Sequence, residues 1–440
     1  MKKSRILIGL LLTLIAVPVF ASTGGDIGEG QTTLVIQIGV ILFAAKLGGI
    51  LAQKAGIPTV LGELMSGILI GPYALGALAL PGFPQGLFVK TVTEIPVSPE
   101  LYGIATIASI ILLFVSGLET DLGLFLKYSV AGSIVGLGGV LFSFAAGDLV
   151  GTLMLGGSFM APRNLFLGIL STATSVGITA RILSDRKKMD SPEGVTILAA
   201  AVLDDVLGIV VLAVVLGIAS AAGTSGGSVQ WSRIGIIAAR AFGIWLGITA
   251  LGLILSKRIA AVLKQFKHAS AFSIMALGLA MLLSGFFERE GLAMIIGAYI
   301  TGLSLSKTDI SHIIIEKVHV LYEFFVPVFF AVMGMMVDLR ELASLQVIAV
   351  GLVFTVVSIL AKVLGCGLPA LFTGFNLKGA LRIGTGMVPR GEVALIVAGI
   401  GVTNGLLDGG LFGIAIMMTL LTTLVAPFGL SATLRVPGAG

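Results

Sequence analysis

The chain has 440 residues, of which 57% are hydrophobic and only 11% are charged. This composition excludes a soluble globular protein and indicates a polytopic α-helical membrane protein, because the apolar stretches are continuous and do not alternate as in a membrane β-barrel. The net charge of +5 comes from basic residues in predicted loops, so it does not indicate nucleic-acid binding. Cys366 is the one cysteine, which excludes an internal disulfide and a multi-cysteine metal site.

Residues 1–22 have a basic start, a short apolar core and small residues near Ala21. This pattern predicts a secretory signal peptide, with an uncleaved signal anchor as the alternative. Cleavage would place the start of the mature chain outside the cytoplasm.

About thirteen apolar spans follow the signal segment. A span needs about 20 residues at about 1.5 Å each to cross a hydrocarbon core of roughly 30 Å. Basic residues are concentrated in alternate loops, for example at 186–188 and 257–267, which predicts a multi-pass protein of the inner (plasma) membrane with an external amino end and a cytoplasmic carboxyl end. The predicted spans are approximately 31–52, 58–77, 101–119, 128–155, 163–184, 194–219, 231–256, 270–287, 290–306, 318–337, 344–373, 377–402 and 408–432.

Two of these spans contain sequences that interrupt a regular helix. Residues 171–181 (STATSVGITAR) are rich in serine, threonine and glycine, and residues 384–394 (GTGMVPRGEVA) contain Pro389 among glycines. Interruptions at corresponding positions of two halves are typical of inverted-repeat transporters, whose broken helices meet near the middle of the membrane. Two ordinary kinked helices are the alternative interpretation.

Asp204 and Asp205 lie side by side in the middle of the sixth span. A carboxylate at mid-membrane costs at least ~2.5 kcal/mol, so two of them need compensation or a function. The two side chains point about 100° apart around a helix, and one division has one carboxylate in a water-filled pocket while the other meets a base on another helix. The predicted base is Lys362 in the eleventh span, because an unpaired lysine there would lose its proton.

Four other charged residues in or near the spans are considered as candidates. Glu63, in the second span, is as compatible with structural hydrogen bonding as with transport. Arg390 and Glu392, in the second interrupted span, are as compatible with a scaffold as with an ion path. Arg181 lies near the cytoplasmic end of the fifth span and is predicted to extend its guanidinium to the membrane surface.

Seven motifs resemble those of monovalent cation/proton antiporters of the second cation–proton antiporter family. In chain order they are PTVLGELMSGILIGP, LLFVSGLETDL, TSVGITARILSD, AAAVLDDVLGIVVLAV, FFVPVFFAVMGM, AKVLG and MVPRGEVALIV. The likeness extends from about residue 32 to the end of the last span. The paired aspartates together with MVPRGEV make it specific.

The resemblance implies a sodium/proton antiporter fold, with thirteen helices, inverted repeats and two broken helices that cross. Such antiporters are typically homodimers whose core moves as an elevator-like body. The implied transporter domain covers residues 31–432, with a core bundle at about 128–219 and 344–432, a dimerisation bundle at about 31–119 and 270–337, and a linker helix at about 231–256.

The resemblance also implies roles for individual residues. Asp205 resembles the principal carboxylate that binds the cation, here Na⁺, and the proton. Asp204 resembles the aspartate that pairs with the core lysine, here Lys362. The remaining candidates are Thr174 and Ser175 in the first broken helix and, as supporting residues, Glu392, Arg390 and Glu63.

The sequence therefore predicts a non-enzymatic, cofactor-free antiporter that exchanges Na⁺, with Li⁺ as a further candidate, for H⁺ by alternating access in the lipid bilayer. The Asp-Asp pair favours sodium and an electrogenic cycle, since the potassium-efflux branch usually has Gln-Asp and the electroneutral branch Asn-Asp. A K⁺/H⁺ antiporter is the closest alternative. A cation channel is a weaker alternative. An intramembrane aspartyl protease is also weaker, because it needs two carboxylates that face each other, whereas Asp204 and Asp205 point in different directions from one helix.

Overall fold

The structure, a computed structural model, describes residues 26–55, 59–91, 95–159, 161–223, 231–338, 340, 345–403 and 405–435. The predicted signal segment lies outside the described residues. The described residues form fifteen α-helices and a short 3₁₀ turn. The helices are α1 (Asp26–Lys54), α2 (Thr59–Ile70), α3 (Pro99–Glu119), α4 (Leu122–Leu155), α5 (Pro162–Thr172), α6 (Val176–Asp185), α7 (Pro192–Gly223), α8 (Trp231–Lys264), α9 (Ala269–Arg289), α10 (Met294–Leu305), α11 (Ser311–Met335), α12 (Leu345–Phe372), α13 (Leu377–Gly386), α14 (Glu392–Thr403) and α15 (Gly409–Arg435).

The helical membrane fold predicted from the sequence is confirmed. Each predicted span coincides with one helix or with a pair of helices separated by a break. Eleven stretches of the described chain are long and apolar enough to cross a bilayer, whereas α10 has only 12 residues and α13 and α14 are each too short alone. The count of thirteen membrane spans therefore stays a prediction.

The helices pack in two groups, which we call the flank bundle (α1–α3 and α9–α11) and the core bundle (α4–α7 and α12–α15). Helix α8 lies between them in sequence and touches α7, α9 and α10. The order of three flank helices followed by four core helices, with the break in the same place, occurs before α8 and again after it. The chain is therefore built as two repeats of one arrangement.

Close backbone approach holds the flank helices together. On α3 and α10, Gly117 and Gly302 face each other's backbone: a Cβ on Gly117 would lie 2.3 Å from the carbonyl oxygen of Tyr299, and one on Gly302 would lie 2.2 Å from that of Phe114. Any larger residue would separate the two helices, and small residues at such contacts are how helices pack within membranes.

Capping residues mark the starts of the third and fourth helices. The side chain of Ser98 accepts a hydrogen bond from the backbone N–H of Leu101 at the start of α3, and Asp121 accepts one from Leu124 at the start of α4. Both caps satisfy N–H groups that have no partner inside the helix. The short connection after Glu119 thus ends a flank helix and begins a core helix.

Candidate functional site

The two helix breaks meet inside the core bundle. The first break, residues 173–175, separates α5 from α6, and the second, residues 387–391, separates α13 from α14. The backbone N–H of Ser175 donates a hydrogen bond to the carbonyl oxygen of Pro389 at 2.7 Å. Because each break frees backbone groups in an apolar environment, pairing one break with the other satisfies groups that lipid would leave unpaired.

Two threonines on the first broken helix bind the free end of α13. The Oγ1 of Thr179 donates to the carbonyl oxygen of Gly386 at 2.7 Å, and the Oγ1 of Thr174 donates to that of Met387 at 3.3 Å. All four residues are buried. The threonines of the fifth span thus stabilise the opposite break, because their hydroxyl groups bind carbonyl oxygens that have no partner within α13.

Arg390 occupies the crossing and is completely buried. Its Nη2 donates to the carbonyl oxygen of Ser171 at 2.6 Å, and its Nη1 lies 3.3 Å from the carbonyl oxygen of Met387 and 3.4 Å from Thr174 Oγ1. These carbonyl oxygens belong to the carboxyl ends of α5 and α13, where the helix dipoles are negative. The guanidinium therefore compensates both ends and takes up oxygens that a cation could otherwise bind.

Asp204 and Lys362 form a direct ion pair in the core. The Nζ of Lys362 donates to Asp204 Oδ1 at 2.8 Å, and both side chains are excluded from solvent. The ammonium lies against α4 at Gly139, where a Cβ would come within 3.3 Å of Lys362 Nζ and within 2.5 Å of Cys366 Sγ. The sequence predicted a base opposite one of the two aspartates, and the structure brings Lys362 to Asp204.

Asp205 lies at a change in the environment of α7. Residues 195–206 are buried, whereas residues 207–214 are half-buried on every face of the helix. Asp205 itself is 7% exposed, compared with 3% for Asp204. Of the two carboxylates, Asp205 is thus the one at the boundary with the less buried half of the helix.

The other predicted site residues lie in different places. Thr174 and Ser175 are buried in the first break, and Gly391 of the second break lies so close that a Cβ there would be 2.7 Å from Ser175 Oγ. Glu392 is the first residue of α14, but its side chain lies outside the described part of the chain.

Glu63 lies on α2 in the flank bundle, where its Oε1 is 3.8 Å from Nη2 of Arg181 on α6. The prediction that Arg181 extends to the membrane surface is wrong. Only 13% of its side chain is exposed, because the guanidinium lies between Glu63 and the ring of Tyr322, 5.2 Å from the ring centroid. An arginine near the end of a span can thus be held by partners on other helices, which its own span does not reveal.

Two buried acids of the core were not recognised in the sequence. Asp148 on α4 is completely buried, and neither carboxylate oxygen has a hydrogen-bond partner within the described residues. Glu193, at the start of α7, pairs with Arg382 of α13. The signal for Asp148 is an acidic residue inside a long apolar span, which by itself marks a position of interest.

The sequence profile of the family described as "Sodium/hydrogen exchanger, transmembrane" matches residues 39–436. The chain belongs to this family. Among curated sodium/hydrogen exchangers, it is 34% identical over 392 residues to the Na(+)/H(+)-K(+) antiporter GerN of Bacillus cereus, covering 89% of this chain and 94% of GerN. It is also 34% identical over 420 residues to the high-affinity Na(+)/H(+) antiporter NhaS3 of Synechocystis, covering 90% and 88% of the two chains.

A solved structure of the same fold is that of MjNhaP1, a sodium proton antiporter from Methanocaldococcus jannaschii. It superimposes with a TM-score of 0.65 at 19% sequence identity, covering 92% of this chain and 99% of MjNhaP1. At this identity the similarity concerns the fold. It supports the sodium/proton antiporter fold that the sequence predicts.

Proposed function

We propose that this protein exchanges Na⁺ for H⁺ across the membrane, with Asp205 as the carboxylate that the two ions occupy in turn. The observation that carries this proposal is the pair of neighbouring buried acids beside the helix crossing. Asp204 is held by Lys362, and Asp205 lies at the boundary with the less buried half of α7. The curated relatives described above, which are named as sodium/proton antiporters, support the same function.

Mutual exclusion at one carboxylate is enough to couple the two ions. Burial penalises the bare charge of Asp205, so the side chain is stable with either a proton or a cation bound. A cation can enter only after the proton leaves. Thr174 and Ser175 would contribute hydroxyl oxygen ligands, and Glu392 would support them.

Arg390 acts in this proposal as a scaffold. Its guanidinium binds the carbonyl oxygens at the ends of α5 and α13 and thereby fixes the geometry of the crossing. A permanent positive charge at this point also directs the transported cation away from those carbonyls and towards the aspartates.

The ion pair between Asp204 and Lys362 provides a second proton site. Exchange at Asp205 alone would trade one proton for one sodium ion and move no net charge. If the arriving sodium ion separates Lys362 from Asp204, the lysine releases a further proton, and the cycle becomes electrogenic. Lys362 would then regain its proton when the ion pair forms again.

The two bundles supply the movement. In the proposed cycle the core bundle slides or rocks against the flank bundle, which mediates the contact between two copies of the chain in a homodimer. The protein would lie in the inner membrane with its carboxyl end in the cytoplasm, as the distribution of basic residues predicts.

The test uses purified protein reconstituted into sealed vesicles with an acidic interior, in which a fluorescent dye reports the pH gradient. Na⁺, Li⁺ and K⁺ are added separately to the wild-type protein, to Asp205→Asn and to a control, Asp190→Asn, which removes an exposed carboxylate. We expect Na⁺ to dissipate the gradient with the wild type and the control, and the Asp205→Asn variant to lose this activity.

Potassium is the second candidate cation, because the name of GerN includes K(+). A response to K⁺ that exceeds the response to Na⁺ would change the assigned substrate but not the site. Exchange by Asp205→Asn at the wild-type rate would refute the site, and cation flux without proton movement would indicate a channel.

A further inference from the structure

The core and flank bundles are joined mainly through one short helix. The principal helix pairs between the bundles are α3 with α6, α2 with α6, and α2 with α15. Helix α6 begins at the first break, next to Ser175, and ends before the basic loop at residues 186–188. Helix α6 therefore lies at the crossing with its amino end and contacts the flank bundle near its carboxyl end.

Two hydrogen bonds link the end of α6 to different flank helices. The Oγ of Ser184 donates to Glu119 Oε2 on α3 at 3.1 Å. The Oγ1 of Thr59 on α2 donates to Asp185 Oδ2 at 3.0 Å. Adjacent residues of the core thus hold two helices of the flank bundle.

Arg181, one turn earlier on α6, adds charged contacts to the same interface. Its Nη2 lies 3.8 Å from Glu63 on α2, its Nε lies 3.3 Å from Asp185, and its guanidinium stacks over Tyr322 on α11. Glu63 is 3% exposed, so its negative charge depends on the nearby arginine for compensation. Separation of the bundles would remove Arg181 from Glu63 and leave that buried carboxylate without its positive partner.

The neighbouring part of the interface has a different character. A small cavity between the bundles is lined mainly by apolar side chains, among them Leu64 and Phe330 of the flank bundle and Ile178 and Leu395 of the core bundle. Apolar surfaces can slide without losing specific partners, whereas polar partners must separate completely. The polar contacts of α6 are thus the ones whose loss would distinguish one arrangement of the bundles from another.

We infer that these contacts form a clasp that keeps the pathway closed on the side of the 186–188 loop, and that the clasp must open in every exchange cycle. The α6 clasp consists of Arg181, Ser184 and Asp185 of the core bundle with Thr59, Glu63, Glu119 and Tyr322 of the flank bundle. Residues 207–214 of α7, which lie beyond Asp205 as seen from the clasp, are half-buried, whereas residues 195–206 are buried.

The inference rests on the proposed alternating access and adds residues that bind neither ion. A contact present in one state only shifts the equilibrium between states by its own free energy, so loss of the clasp favours the state that opens on the side of the basic loop. Arg181 and Ser184 act as positioning residues, since they hold the broken helix without touching Asp204 or Asp205.

The experiment measures which side of the membrane reaches the half-buried segment of α7. The reporter is Gly208→Cys, where a Cβ has no neighbour within 4 Å. The native Cys366 is completely buried, and protein without the reporter gives its background. A membrane-impermeant maleimide is added to either face of sealed vesicles without an ion gradient, and the ratio of the two labelling rates reports the balance between the two states.

Two double variants remove the clasp in different ways. Glu63→Gln with Arg181→Gln removes both charges together and leaves no unpaired buried charge, while Thr59→Val with Ser184→Ala removes only hydroxyl groups. The control, Arg186→Gln, removes a positive charge just after α6. Each hydrogen bond or ion pair lost shifts the equilibrium roughly fivefold, so we expect the labelling ratio to move at least about fivefold towards the side of the basic loop in both double variants and to stay constant in the control.

An unchanged ratio in the two double variants would overturn the clasp. The labelling requires no Na⁺ or H⁺ transport, so this failure is distinguishable from failure of the proposed function. If Asp205→Asn exchanged Na⁺ for H⁺ as the wild type does, the Asp205 site would be refuted but the labelling result would stand. An unchanged labelling ratio would refute the clasp but not the Asp205 site.

Discussion

Lys362 has its position fixed by two neighbours, the Asp204 carboxylate and the glycine backbone of α4 at Gly139. The sequence predicted its partner because a charge in the middle of an apolar span needs an opposite charge, and few bases lie at that depth. The same logic did not find the partner of Arg181. Its contact with Glu63 depends on how two bundles pack, and both residues lie in spans with no charge pattern that relates them.

Lys362 is the proposed second proton site. In Lys362→Gln, the side chain can still donate a hydrogen bond to Asp204 but cannot carry a proton. We therefore expect Na⁺/H⁺ exchange to become electroneutral, with dissipation of the pH gradient but no current after a Na⁺ concentration jump. The current is recorded on a supported membrane and compared with that of Lys188→Gln, which removes an exposed lysine.

Loss of Lys362 also leaves Asp204 buried without its cation, which costs about 3–5 kcal/mol unless the carboxylate takes up a proton. The thermal unfolding midpoint of the purified variant must therefore be measured beside the current. A folded Lys362→Gln protein that still generates current would exclude Lys362 as the obligatory second carrier.

At the scale of helices, the sequence was informative wherever the signal was local. The positions of both breaks followed from serine, threonine, glycine and proline within single spans, and the structure places breaks there at residues 173–175 and 387–391. The hydrogen-bond partners of Arg390 could not be predicted from its own span. Its partners are backbone oxygens on α5 and α13, and only the three-dimensional crossing brings Ser171 and Met387 to one guanidinium.

The contact between α4 and α12 gives a prediction about packing. An alanine at Gly139 would place its Cβ 2.5 Å from Cys366 Sγ, and such overpacking costs roughly 1–3 kcal/mol. We expect Gly139→Ala to lower the unfolding midpoint of the detergent-purified protein and to reduce exchange, since the added methyl also crowds Lys362. Adding Cys366→Ala removes the closest atom and should restore part of both.

The control for this prediction is Gly208→Ala on α7, where the new methyl group meets no atom within 4 Å. Alanine favours a helix over glycine by about 1 kcal/mol, so the control should be at least as stable as the wild type. Equal unfolding midpoints for the Gly139→Ala and Gly208→Ala proteins would contradict the close packing of α4 on α12.

Across the whole molecule, each of the two repeats contributes three helices to the flank bundle and then four helices to the core bundle. The sequence indicated the repeats through the positions of the breaks, and the motif resemblance implied the bundles. The sequence did not reveal which surfaces of the two bundles are in contact, because the apolar residues at the interface have the same character as those that face lipid. The clasp residues are recognisable only after the bundles are assembled.

This architecture makes a prediction about movement that is independent of the labelling experiment. Thr59 and Asp185 lie on different bundles with their side-chain oxygens 3.0 Å apart, while Thr385 and Thr433 lie within the core bundle with hydroxyl oxygens 3.3 Å apart. If the core moves as one body, a disulfide between Thr59→Cys and Asp185→Cys should stop exchange, and one between Thr385→Cys and Thr433→Cys should not. Reduction with dithiothreitol should restore exchange in the first protein, and the measurement is Na⁺-dependent dissipation of the pH gradient before and after reduction.

Exchange that continues with the bundles fully cross-linked would show that the ions pass without relative movement of the core and flank bundles. Arrest by the cross-link between residues 385 and 433 would place the essential movement inside the core bundle.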